Sequence, residues 1–194
     1  MTTTHAIEAE SYRILRERVS LDHLTPAARA VVERVIHASA DLDYADSLVV
    51  GPGAAEAGVE ALRAGAPVIA DVEMVRAGIT GVAAHCYLAG AGAGAALTRS
   101  AAAMRLAARR HPDGAVVVVG CAPTALVEAV ELVQAGTFRP ALLIGLPVGF
   151  VGASQSKALA RACATPSITN VGEKGGSSVA AAALNALVRM HRRS

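Results

Sequence analysis

Six consecutive residues, Ala115–Gly120 (AVVVVG), constrain this chain more than any other stretch, because every position is apolar. A strand with one wet face alternates apolar and polar side chains. An unbroken β-branched run therefore belongs to a strand covered on both faces. Such covering arises when helices cross over between parallel strands. The remainder of the chain has the order this requires. Further strand candidates are Ser47–Val50, Pro67–Ala70, Ala141–Gly145 and a less regular run, Ala84–Leu88. Helical candidates are Glu8–Val19, Pro26–Ala38, Ala54–Ala64, Thr98–Arg110, Ala122–Ala135, Ser154–Ala162 and Gly176–Arg192. Thr25 followed by Pro26 is a good helix start, and Pro123 sits in a first turn. Gly65 and Gly136 stand where helices should stop. The alternation predicts an α/β fold of three layers, with helices on both faces of a mostly parallel sheet. No linker interrupts it, so residues 1–194 read as one domain.

Composition narrows what such a domain can do. Aromatics make up only 3% of the chain and there is no Trp, so the core is expected to be Ala, Val, Leu and Ile at close range. A net charge of +2 is too near balance for nucleic acid, and no aromatic-studded basic stripe is present for a single strand. Cys86, Cys121 and Cys163 are widely spaced and odd in number, as expected of reduced thiols in a cytoplasmic protein. The polar start MTTTHAIEAESYRILRE is no signal peptide, and no apolar run approaches the roughly 20 residues of a membrane span. Gly90–Ala96 (GAGAGAA) reads as a flexible surface loop, and the basic tail Arg189–Ser194 is expected to fray.

Ligands of open parallel sheets sit outside the carboxyl ends of the strands. Four polar or glycine-rich segments follow predicted strands or extended runs: Asp71–Met74, Cys121–Thr124, Leu146–Lys157 and Asn170–Ser178. The third belongs to Gly145–Lys157 (GLPVGFVGASQSK), a strand-to-helix loop with glycines at 145, 149 and 152. It is no Walker loop, since Ala153 follows Gly152, and no GxGxxG fingerprint. It is either an unliganded turn or a cradle whose backbone N–H groups face an anion. Asn170–Ser178 (NVGEKGGSS) is either an ordinary helix start or a second anion cradle. His37, near the end of a predicted helix, is either a proton-transfer group or a histidine favoured there by the helix dipole. Asp41, Asp43 and Asp46 follow it closely and are candidates to orient it or raise its pKa. A metal site from His37, Asp41 and Asp43 has no second histidine at ligand spacing. His5, His23, His85, His111 and His191 show no partner pattern and read as surface residues. Arg13, Arg16, Arg76, Arg99, Lys157 and Lys174 lie near loops. Arg99 opens a helix, where the dipole disfavours a cation, so an anionic partner is one explanation and a solvated side chain the other.

Seven segments, in order and spanning nearly the whole chain, resemble the precorrin-8X methylmutase family. They are AESYRILRE (Ala9–Glu17), VIHASADLDYADSL (Val35–Leu48), ALRAGAPVIADVEMVRAGIT (Ala61–Thr80), TRSAAAM (Thr98–Met104), APTALVEAVELV (Ala122–Val133), GLPVGFVGASQSK (Gly145–Lys157) and GEKGGSSVAAAALNAL (Gly172–Leu187). The resemblance implies a flavodoxin-like α/β/α domain acting as a homodimer. It implies an isomerase of corrin biosynthesis that moves a methyl group from C-11 to C-12 of a tetrapyrrole. It places the family's catalytic histidine on His37 and its active-site arginine on Arg99. The expected substrate contacts are Ser11, Arg13, Arg99, Ser100, Thr124, Gly149, Gly152, Lys157, Lys174, Gly175, Gly176 and Ser177. A pericyclic shift needs no covalent nucleophile, no cofactor and no protein-bound metal. The partner is the tetrapyrrole alone, with neither nucleic acid nor membrane. Three departures concern the substrate rim: Glu173 stands where arginine is common, Cys121 where asparagine is common, and Gly81–Leu97 is short and glycine-rich. Two other readings remain beside the enzyme: a non-catalytic tetrapyrrole carrier on the same fold, and a nucleotide- or flavin-binding module.

Overall fold

In the computed structural model, which describes residues 6–92 and 97–193, the valine run forms strand β4 (Val116–Val119), and all four side chains are buried. Successive strand residues point to opposite faces. Val116 and Val118 accordingly join one hydrophobic cluster, while Val117 and Val119 join the other. Around β4 lie β1 (Leu48–Val50), β2 (Val68–Ala70), β3 (Ala84–Cys86), β5 (Leu142–Gly145) and β6 (Ser167–Asn170). The sheet order is β1-β6-β5-β4-β2-β3. All pairs are parallel except β1 with β6, which is antiparallel in the register Leu48 with Asn170. The expected parallel sheet thus carries one reversed edge strand. Without β1, the remaining five run second-first-third-fourth-fifth, the flavodoxin-like order, whose switch point lies between β2 and β4.

One face is covered by α1 (Ala6–Arg18), α2 (Pro26–Ser39), α4 (Ala54–Arg63), α5 (Glu73–Gly78) and α9 (Ser177–Arg193). The other is covered by α6 (Arg99–Arg110), α7 (Pro123–Gln134) and α8 (Ala153–Ala162). A one-turn helix, α3 (Tyr44–Ser47), leads into β1. Thr25 caps α2 by accepting the Ala28 N–H, and Thr98 caps α6 by accepting the Ala101 N–H. Both replace intrahelical partners that a first turn lacks.

The core is aliphatic, as expected, apart from two aromatic residues. Phe138 is fully buried beneath the α7 face and Tyr44 is nearly so. A buried Phe contributes about 1.5–3 kcal/mol by area alone, more than any alanine on these helices can. Beyond the expected elements, the structure adds α3, α5 and β6. The last is polar at Ser167, Thr169 and Asn170, yet all three are buried, so its sequence hides a strand. The basic tail continues α9 as far as Arg193, and Arg189 reaches back to Glu8 at 2.6 Å. Ser194 and residues 93–96 of the glycine-rich loop lie outside the described residues.

Candidate active site

Parallel strands end at one edge of the sheet, and the four expected segments meet there in two pairs. The first pair is joined by Asp71, which follows β2 and is 3% exposed. Its carboxylate accepts the N–H groups of Gly120 (3.1 Å), Cys121 (2.9 Å) and Ala122 (2.9 Å), in the turn after β4. Burial raises the Asp71 pKa, and the three N–H groups oppose that rise. The turn at the switch point therefore holds a carboxylate of its own chain. A nucleotide phosphate would need those same N–H groups, which disfavours the nucleotide or flavin reading.

The second pair is the loop after β5 and the loop after β6. Gly149 N–H donates to the Glu173 carbonyl (3.1 Å), and Gly176 N–H to the Leu146 carbonyl (2.8 Å). Gly175 lies where the loops cross: a Cβ there would stand 2.3 Å from the Leu146 carbonyl oxygen, and its φ is +155°. Only glycine fits that crossing. Gly120 links the two pairs, since a Cβ on it would meet the Ser177 Cα at 2.9 Å. Gly152 caps α8 with φ +79°, and Ser177 opens α9, so both helix starts face this edge.

His37 occupies the last turn of α2 and is half-buried. Its Nδ1 is 2.8 Å from Ser11 Oγ on α1, and its ring stacks on Tyr12 at 5.0 Å between centroids. Ser11 is thus the partner of the histidine. Burial, and then the Arg34 guanidinium, lower the His37 pKa below its usual 6.5; Glu8 opposes them and Arg189 adds to the lowering. Glu8 in turn accepts from Arg34 (2.7 Å) and Arg189 (2.6 Å), so these charges form one network around the ring. The expectation that Asp41, Asp43 and Asp46 orient His37 or raise its pKa is corrected. Asp41 and Asp43 bond Lys174 instead, at 2.8 and 2.6 Å.

Three further expected contacts have partners within the chain. Lys157 is fully buried, its ammonium donating to Asn170 Oδ1 (3.0 Å) and the Lys174 carbonyl (2.6 Å), so it cannot reach a ligand. Lys174 is exposed, but its charge is committed to the two aspartates. Arg13 is exposed on α1 and engaged by Glu10 and Glu17. Arg99 is exposed at the first residue of α6 and has no hydrogen-bond or ion-pair partner among the described residues, so its guanidinium is open to an anion. Next to it lie half-buried Ser100 and exposed Thr124, whose Oγ1 accepts from Thr98 Oγ1 at 2.8 Å. No group of three metal-ligating side chains is found among the described residues. Two of the remaining histidines do have partners. Tyr87 Oη meets His111 Nε2 at 2.6 Å, and His85 stacks on His111.

Sequence reasoning placed Asp71 and Asn170 in candidate segments without giving either a role, and it missed Tyr12, Glu8, Arg34 and Arg189. A charged residue closing the apolar run before α5 was a usable signal for Asp71. The network around His37 joins residues as far apart as Glu8 and Arg189, and no spacing announces it. A cleft of about 390 Å³ opens beside it, lined by Tyr12, Arg34 and Arg189 among others. A wider groove of about 820 Å³ runs between α2 and α4, away from the strand ends. The rim of the carboxyl edge is instead apolar and open: Phe150 is 95% exposed and Val151 89%, with Val148, Val171 and Met74 also exposed.

The family model described as precorrin-8X methylmutase matches residues 6–190. A cobalt-precorrin-8 methylmutase of Priestia megaterium is 38% identical over 193 residues, covering 93% of this chain and 85% of that protein. A precorrin-8X methylmutase of Pseudomonas aeruginosa is 41% identical over 195 residues, covering 94% and 93%. A solved structure of a precorrin-8X methyl mutase from Thermus thermophilus superposes with a TM-score of 0.88 at 38% identity, covering 97% of this chain and 98% of that one.

The charges around His37 yield a direct expectation. Arg34→Gln removes a positive neighbour and releases Glu8, so the His37 pKa should rise relative to wild type. Titration of its ring Cε1–H signal by NMR reads this, and an unchanged midpoint would leave burial and Arg189 as the causes. The sign carries to stability: the folded wild type resists protonation, so it loses stability as pH falls from 6.5 toward the lowered folded pKa. The variant should lose less over that window.

Proposed function

The chain belongs to the precorrin-8X methylmutase family, and from this premise we propose how its residues perform the reaction. It is an isomerase, a methylmutase of cobalamin biosynthesis. In this reading one domain, residues 1–194, moves a methyl group from C-11 to C-12 of precorrin-8X. The C-11–methyl bond breaks as the C-12–methyl bond forms, with no net gain or loss of atoms or electrons. The product is hydrogenobyrinic acid, or cobyrinic acid where cobalt already sits in the ring as part of the substrate.

His37 supplies the proton chemistry, and its fixed ring is the observation that carries the enzyme reading over the carrier. A histidine with Nδ1 tied to Ser11 and one face against Tyr12 has Nε2 left to address a ring nitrogen of the macrocycle. Its lowered pKa makes the protonated form a stronger acid than free imidazolium. Arg99, exposed at its helix start, grips a substrate carboxylate with two parallel hydrogen bonds. Ser100 and Thr124 flank it, and the backbone N–H groups of Gly152, Gly175 and Ser177 take further carboxylates, while those of Gly149 and Gly176 tie the two loops together. Binding holds the macrocycle in a reactive shape, and the proton favours the charge pattern of the product.

A flat pigment needs walls on both sides, and the cleft beside His37 and the groove between α2 and α4 both lie among the helices of one layer. The exposed apolar rim of Val148, Phe150, Val151 and Val171 is the surface a second copy would cover, so the acting form is a homodimer in this reading. No described helix is long and apolar enough to cross a membrane, and we place the enzyme in the cytoplasm.

Two measurements test this. His37→Ala, offered enzymatically made precorrin-8X, should keep its affinity for the pigment and lose about 10²–10⁴ in kcat; wild-type turnover by the variant removes His37 from the mechanism. Sedimentation velocity should give a dimer that Phe150→Asp weakens. A wild-type monomer at micromolar concentration contradicts the dimer.

A further inference from the structure

Two lysines expected to hold substrate carboxylates do something else, and their bonds form one continuous path. Lys157 on α8 is fully buried, yet it carries a charge that must be satisfied. Its Nζ donates to Asn170 Oδ1 at the end of β6 and to the Lys174 carbonyl in the loop beyond. Asn170 Nδ2 donates to that same carbonyl at 2.9 Å. The loop is thus gripped at residue 174 by two side chains. From the same residue, Lys174 Nζ reaches Asp41 and Asp43, just after α2. That helix end is itself closely fixed. Ser39 Oγ bonds back to the Val35 carbonyl (2.9 Å), Asp41 N–H donates to Ser39 Oγ (3.2 Å), and Ala40 takes a left-handed conformation with its N–H on the Ile36 carbonyl. His37 lies inside this turn.

We propose that Lys157 and Lys174 are positioning residues, a brace that sets the end of α2, and so the His37 ring, against the glycine loops across the site. The inference rests on His37 being the catalytic acid. The brace explains why two lysines beside an anionic ligand site have no charge left for the ligand. Lys174 is neutralised by two carboxylates, and Lys157 is sealed beneath the loop. It also explains why Gly175 must be glycine. Residue 174 can sit above Lys157 only if the next residue passes within touching distance of Leu146. Burial, and then Arg161, bring the Lys157 pKa down to about 8, and the amine keeps hydrogens to donate in either state. The path holds across neutral pH.

The test uses the full-length enzyme with precorrin-8X, and the substrate-free protein for NMR. Lys174 is exposed, so Lys174→Met should fold. It is expected to lower kcat by about tenfold to a hundredfold while KM stays within about twofold. It should also move the His37 ring signals before any substrate is added. Lys174→Arg should restore both. Asp41→Asn/Asp43→Asn should reproduce the loss, and adding Lys174→Met to it should cost nothing more. Lys157→Met should shift the same ring signals; if it does not fold, the Lys174 variants still decide. A rise in KM with kcat unchanged makes Lys174 a carboxylate ligand and overturns the brace. So does a fall in kcat with His37 signals unmoved. His37→Ala with full turnover would sink the premise alone, since the ring-signal comparison needs no turnover.

Discussion

Burial of both faces of β4 is the constraint from which the rest follows. Val116–Val119 leave no wet face, so helices must lie on each side, and crossovers between parallel strands supply them. Once the strands run the same way, all their carboxyl ends open on one edge. The turns that leave them cannot be buried under helices, because the helices start there. Chemistry is thereby confined to one rim, where glycines, helix starts and the few charged side chains gather.

At that rim the chain satisfies much of its own charge. Asp71 occupies three N–H groups at the switch point, and Lys157 and Lys174 are consumed by the scaffold. What remains for a ligand is a small set: the half-buried His37, Arg99 with no partner among the described residues, and the helix starts beside the glycine loops. Such a division suits an isomerisation. The macrocycle needs holding and one well-placed proton rather than a nucleophile. A rigid internal electrostatic frame keeps both in register with little reorganisation as the methyl moves. The arginines around His37 lower its pKa, so the protonated ring gives up its proton more readily.

Features readable along the chain were those with local causes. The valine run, the Thr–Pro and Pro starts and the stopping glycines placed seven helices and five strands within a residue or two of their observed bounds for most of them. The flavodoxin-like order followed from the resemblance, and the reversed β1 did not. β6 escaped because Ser167, Thr169 and Asn170 are polar yet buried, with Thr169 bonded to Arg161 and Asn170 to Lys157, and no periodicity reports such partners. The candidate site was legible as a list of segments, and less so as a set of roles. Lys157 in a glycine loop looks like an anion ligand until burial shows where its ammonium goes. His37 next to three aspartates looks raised in pKa until Lys174 claims two of them. In both cases the deciding partner comes from another element, from Asn170 at the end of β6 to Lys174 in the loop beyond it.

The central claim is catalysis rather than carriage on this rim. Its most direct test is to add substoichiometric wild-type protein to precorrin-8X and follow the visible spectrum, since methyl migration alters the conjugated system. Complete conversion of many equivalents of pigment per protein is expected. A spectrum that changes only up to one equivalent per site and then stops, with unrearranged pigment recovered on denaturation, would show a carrier and contradict it.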